Sequence, residues 1–190
     1  TSYAKSINYK EHLSAEENVA FIDVGFNKTS VTCYFNNEIS FFDILPIGAN
    51  HITKDISKIL VINLEQAENI KLYFDTDQNL LKEKKFSSDL VQQIIFARTE
   101  EILELCSKSI KVNLNLAELS QFKMVFMGEG SKILDKKFKE KISFSKSIDF
   151  LEETTEDICQ SGLKLTEDPN KQEVVVIPKK LIKQCFFEKL

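Results

Sequence analysis

The run Val19-Ala20-Phe21-Ile22-Asp23-Val24-Gly25 decides how the rest of the chain is read. It is apolar apart from Asp23, too short for a buried helix, and followed at once by a glycine. It therefore reads as a strand covered on both faces that ends in a turn. Two more β-rich runs follow, 30–35 and 39–45, with Asn36 and Asn37 between them. Asparagine tolerates the positive φ of tight hairpin turns, so the first unit reads as a three-stranded meander.

Pro46 and Gly48 stop the sheet. Apolar positions at Ile52, Ile56, Ile59 and Leu60 predict one helix, and Leu64, Ala67 and Ile70 a second over about 64–73. Residues 75–86 are charged and irregular. A long helix is predicted over 88–112, where Val91, Ile94, Ile95, Ile102, Leu105 and Cys106 recur at helical spacing behind the candidate N-caps Ser87, Ser88 and Asp89. Residues 122–127 form another short strand. It passes through Gly128-Glu129-Gly130-Ser131 into a Lys-rich helix over 132–141. A strand near 148–151, a helix near 158–165 capped by Thr154 or Thr155, and a late strand at 174–177 complete the reading. Residues 1–18 are polar without a clear period and read as a lead-in. Strands, then helices, then strand–turn–helix describe an α/β domain carrying a helical insertion.

Composition narrows the function classes. The 190 residues suffice for one core, or two small subdomains sharing one. Hydrophobic content of 43% and charged content of 28% belong to a globular chain. A net charge of −4 disfavours a nucleic-acid backbone as partner. The cysteines Cys33, Cys106, Cys159 and Cys185 form no C-x-x-C pair, and two histidines add little, so no structural zinc site is expected. The thiols read as small buried hydrophobes in a reducing cytosol. No apolar run reaches membrane-spanning length, and no leader pattern is present.

Three motifs are candidates for chemistry. Asp23-Val24-Gly25, followed by Thr29, ends a strand in a turn whose amides are able to receive phosphate, with Asp23 placed to hold a magnesium ion through water. Glu68 and Lys71 stand at i and i+3 and share a helix face, suited to bracketing a sugar hydroxyl or to forming a plain surface ion pair. Gly128 and Gly130 let the backbone approach a flat ligand. Taken singly, each is equally an ordinary structural feature.

Taken in order they carry a resemblance. Asp23-Val24-Gly25, then Gly48-Ala49-Asn50-His51-Ile52-Thr53-Lys54-Asp55-Ile56, then Ala67-Glu68 with Ile70-Lys71, then Ala97-Arg98 with Glu100-Glu101-Ile102-Leu103, then Met127-Gly128-Glu129-Gly130 resemble the FtsA family of actin-like cell-division proteins over about 15–166. The resemblance implies an actin-like ATPase fold, with a ribonuclease H-like core at 19–47 and 118–170, an inserted mostly helical subdomain at 48–117, a lead-in at 1–18 from a missing N-terminal half, and a C-terminal tail at 171–190. It implies ATP with Mg as cofactor. Asp23, Gly25 and Thr29 would match a phosphate motif, with Lys28 as a further phosphate partner. Glu68 and Lys71 would match ribose or adenine contacts, and Gly128, Gly130 and Ser131 the adenosine motif. The family's phosphate turn reads D-x-G-G-G-T-T-D, whereas Phe26, Asn27 and Ser30 stand here, and Glu129 replaces a glycine. These departures argue against hydrolysis and leave nucleotide binding open.

The resemblance further implies a scaffold that recruits the tail of FtsZ to the cytoplasmic face of the inner membrane at the septum and self-associates into filaments. The acidic, hydrophobic FtsZ C-terminal tail would meet Lys54, Lys58 and Lys71. A membrane-seeking helix would use Leu181, Ile182, Cys185, Phe186 and Leu190, beside lysines. The alternatives are an ATP-hydrolysing member of the actin, Hsp70 and sugar-kinase superfamily, or an actin-like protein of pilus assembly or plasmid segregation.

Overall fold

The computed structural model describes residues 1–13, 16–73, 86–133 and 147–167. Its elements, in chain order, are α1 (Ser2–His12), β1 (Val19–Val24), β2 (Thr29–Phe35), β3 (Glu38–Leu45), α2 (Ala49–Leu60), α3 (Leu64–Tyr73), α4 (Ser88–Leu114), β4 (Lys123–Met127), a 3-10 turn (Glu129–Ile133), β5 (Ser147–Phe150) and α5 (Thr155–Glu167). The strands form one sheet in the order β3-β2-β1-β4-β5. β1–β2 and β2–β3 are antiparallel, while β4 and β5 run parallel to β1. The β2–β3 turn has Asn36 and Asn37 at φ 51° and 67°, the conformation expected of that pair.

Both faces of β1 are covered, which explains why it is apolar at every position but Asp23. Ala20, Ile22 and Val24 face a core that includes Ile102, Cys106 and Ile110 of α4. Val19 and Phe21 face the other side, with Val125, Met127 and Tyr9 of α1. A separate core joins α2, α3 and α4 through Ile52, Ile56, Ile70, Val91 and Ile95. Helix α4 starts at Ser87, whose side chain accepts from the Leu90 N–H. Helix α5 starts at Thr154, whose Oγ1 accepts from the Asp157 N–H while its own N–H donates to Asp157 Oδ2, a reciprocal cap. The Thr154 hydroxyl, which donates to Asp157 Oδ2, and the Thr154 N–H together hold the Asp157 carboxyl below the usual carboxylate range.

Residues 2–12, in which the sequence shows no clear period, form α1. The helix was not legible because its buried positions are Ala4, Lys5, Ser6, Ile7 and Asn8, mostly polar. Their polar groups bond across the fold instead: Asn8 Nδ2 donates to Ser161 Oγ, and Lys164 Nζ donates to Asn8 Oδ1, tying α1 to α5. Between β4 and β5 the described helical structure is a single 3-10 turn, Glu129–Ile133. The remainder of the predicted Lys-rich helix lies outside the described residues, as do the predicted strand at 174–177 and the tail with Leu181, Ile182, Cys185, Phe186 and Leu190. Among the described residues, no helix is long and apolar enough to cross a membrane.

Candidate functional site

The three motifs converge on the first turn of α2. The turn after β1 seats on it: the Ala49 N–H donates to Gly25 O at 3.0 Å, and the Asn50 N–H to Phe26 O at 2.7 Å. Asn50 Nδ2 donates to Asn27 Oδ1, and the Gly48 N–H to His51 Nδ1. Two orphan amides of the helix start, those of Ala49 and Asn50, are thus satisfied by the phosphate-type turn itself. From the sheet side, Gly130 lies against Val24 and the Ala49 methyl. From α3, Lys71 Nζ reaches Ala49 O at 3.5 Å. Gly25, Gly130 and Lys71 therefore ring Ala49, outside the carboxyl ends of β1 and β4, where α/β sheets receive ligands.

Several assigned residues are spent inside the protein. Thr29 is fully buried and its hydroxyl donates to Ile47 O, so it does not face a phosphate. The Ser131 hydroxyl donates to Gly128 O and closes its own turn. Lys71 is buried, with Nζ 2.7 Å from Glu68 Oε2 and 2.8 Å from Thr53 Oγ1. The surface-pair reading of Glu68 and Lys71 is therefore corrected, and burial withdraws Lys71 from any acidic tail. Glu68 keeps 34% of its side chain exposed and remains open to a ligand. Lys54 and Lys58 are exposed.

The substituted turn also differs from the sequence reading. Phe26, Asn27 and Lys28 do not adopt positive φ, so the turn conformation itself does not require glycine there. Phe26 projects into solvent at 60% exposure. Among the described residues the Phe26 and Asn27 N–H groups make no hydrogen bond and stay available to an anion. Lys28 is exposed beside them. Glu129 points outward and pairs with Lys132 at 2.8 Å, which weakens its repulsion of a phosphate. Gly128 has φ +86°, and a Cβ there would strike Asp23 Oδ1. This glycine serves the meeting of β1 and β4.

A nucleotide and its magnesium are not equally accommodated. The turn amides and Lys28 fit a phosphate. The carboxylate read as the metal's anchor is already engaged: Asp23 Oδ2 lies 2.8 Å from Lys5 Nζ and accepts from Ser2 Oγ at 2.6 Å. Lys5 also lies 2.9 Å from Glu153 Oε2, which accepts the Gly128 N–H at 2.8 Å. Among the described residues no group of three or more His, Cys, Asp or Glu is gathered to hold a metal. The magnesium does not fit this donor set.

Sequence reasoning missed Lys5 and Glu153 because neither belongs to a motif. It quoted Asp55 and Arg98 without joining them. Arg98 Nε and Nη2 donate to the two oxygens of Asp55 at 2.6 and 3.0 Å, a bidentate pair that locks α2 to α4. Those hydrogen bonds hold the guanidinium above its ordinary pKa.

A family model described as cell division protein FtsA matches residues 20–121. The chain belongs to the FtsA family. The cell division protein FtsA of Bacillus subtilis (strain 168) is 32% identical over 108 residues, covering 49% of this chain and 24% of that protein. That of Buchnera aphidicola subsp. Acyrthosiphon pisum (strain APS) is 25% identical over 201 residues, covering 90% of this chain and 48% of its own length. This FtsA-family chain thus spans about a quarter to a half of those relatives. Among solved structures, MreB5 of Spiroplasma citri bound to AMPPNP superposes with a TM-score of 0.60 at 13% identity, covering 87% of this chain and 57% of that one. The fold is actin-like.

Proposed function

We propose that this FtsA-family chain is part of an actin-like scaffold that binds a nucleotide and docks the C-terminal tail of FtsZ at the cytoplasmic membrane of the division site, self-associating into filaments there. The observation that carries this reading is the double use of α2. Its first turn seats the phosphate-type turn, and its other end exposes Lys54 and Lys58 beside Ile59 and Val61, which are 51% and 88% exposed. Lysines one turn apart with apolar neighbours suit an acidic, hydrophobic peptide. The nucleotide would lie across Ala49, its phosphates on the amides of Phe26 and Asn27 near Lys28, its sugar near Glu68. Membrane attachment would fall to the tail with Leu181, Ile182, Cys185, Phe186 and Leu190. The chain is read as a binding scaffold, with hydrolysis assigned to none of its residues.

The test is fluorescence anisotropy of a labelled FtsZ C-terminal peptide. Replacing Lys54 and Lys58 together by Glu is expected to weaken binding by about tenfold or more at low salt, with the loss shrinking as salt rises. Equal affinity of variant and parent refutes docking on this face.

A further inference from the structure

We infer that Lys5 is the resident cation of the Asp23 site, so that a nucleotide phosphate is received here without a divalent metal. The inference rests on the nucleotide reading above, and its observations are independent of that reading. Lys5 projects from α1 to the carboxyl end of β1 and meets both Asp23 and Glu153 within 2.9 Å. All three side chains are largely withdrawn from solvent: Lys5 and Glu153 are 5% exposed, and Asp23 is 12%.

A cation reaching Asp23 would have to displace the ammonium. That would strand Glu153 as a buried carboxylate and break an arrangement in which one lysine serves two acids. Removing one partner of a buried ion pair is strongly unfavourable. The Ser2 hydroxyl donates to Asp23 Oδ2 and the Gly128 N–H to Glu153 Oε2, the same oxygens that Lys5 meets, while Glu153 Oε1 is buried without a partner among the described residues. Lys5 thus supplies at Asp23 the positive charge a metal would bring, carried on the protein's own helix.

The test is calorimetric titration of ATP into the protein with Mg2+ and with EDTA. The parent is expected to bind equally in both. Lys5→Met is expected to gain a Mg2+ dependence of about tenfold. A parent affinity that falls about tenfold in EDTA overturns the inference. If the parent binds ATP in neither buffer, the nucleotide reading fails by itself. The Lys5 inference is then decided by Mn2+ titration of the nucleotide-free parent, followed by electron paramagnetic resonance. Absence of any site abolished by Asp23→Asn supports it, and a submillimolar site lost in Asp23→Asn overturns it. The Mn2+ arm uses no Lys5 variant, so it decides even if Lys5→Met does not fold.

Discussion

Replacing Gly48 by Ala isolates the junction on which the site is built. Gly48 has φ −164°, extended backbone that alanine adopts freely, so conformation alone favours the substitution. Reduced unfolded-state entropy would stabilise the alanine form by about 0.4–1 kcal/mol. Space decides otherwise. A Cβ on Gly48 would lie 2.5 Å from Gly25 O, 2.8 Å from Lys28 N and 2.8 Å from Phe26 O. All three are backbone atoms, which have no rotamer to yield. Overpacking of this kind costs about 1–3 kcal/mol. Pushing the turn off α2 also weakens the Ala49-to-Gly25 and Asn50-to-Phe26 hydrogen bonds, each contributing about 1 kcal/mol. The net expectation is a loss of about 2–4 kcal/mol, or roughly 4–16 °C in melting temperature for a chain of this size. Gly162→Ala is the control, since a Cβ there meets nothing within 4 Å and the site is helical. It should stabilise by about 0.5–1 kcal/mol. Thermal and urea unfolding followed by circular dichroism read both. A Gly48→Ala protein as stable as its parent would mean that the turn does not seat on α2 as described.

Lys71→Met removes an ammonium that Glu68 and Thr53 share, while Glu68 retains water on its exposed side and its bond from Thr53. The expected loss is about 1–3 kcal/mol of stability, measured by urea unfolding, and a loss below about 0.5 kcal/mol would contradict the buried role. For Tyr34, burial first, with Tyr3 adding, raises the phenol to about 12 against the opposing Ser6 hydroxyl. The native state therefore binds this proton more tightly than the unfolded chain, whose phenol titrates at 10.0. The stabilisation is complete below pH 10.0 and is lost as pH rises through about 12. In absorbance titration against Tyr34→Phe, the Tyr34 component should appear only near pH 12, and a component at pH 10 with the fold retained refutes this.

The parts of the fold set by local pattern were legible. β1 announced itself by an apolar run that both faces need, the hairpin by two asparagines suited to positive φ, and α2 to α4 by helical spacing. Helix α1 was illegible because hydrophobic periodicity detects only apolar burial, and α1 buries Lys5, Ser6 and Asn8 through hydrogen bonds and ion pairs. The pairing of Glu68 with Lys71 followed from their spacing. That the pair is tucked under Thr53 did not, since it depends on how α3 lies against α2. The same holds for Phe26 and Asn27: the sequence suggested a spoiled turn, but only the backbone angles reveal that the turn accommodates side chains.

The architecture around α2 constrains how a signal would pass from nucleotide to partner. Ile52, Ile56 and Leu60 bind the helix to its own core, Thr53 ties it to α3 through Lys71, and Asp55 ties it to α4 through Arg98. Thr53 and Asp55 lie within one turn of the helix, so that turn cannot bend away from α3 or α4 without breaking one of these ties. A ligand that shifts the Gly25–Lys28 turn therefore pushes on Ala49 and Asn50, and the displacement is shared by a unit that includes α3 and α4. Lys54 and Lys58 move with that unit. If peptide docking responds to nucleotide as proposed, the response is expected as a rigid-body change of the helical unit. Breaking the Asp55–Arg98 tie with Asp55→Asn should uncouple peptide affinity from nucleotide before it abolishes either binding event. Peptide anisotropy measured with and without ATP reads this directly. Retention of the full parental nucleotide effect in Asp55→Asn would show that the coupling does not run through α2 and α4.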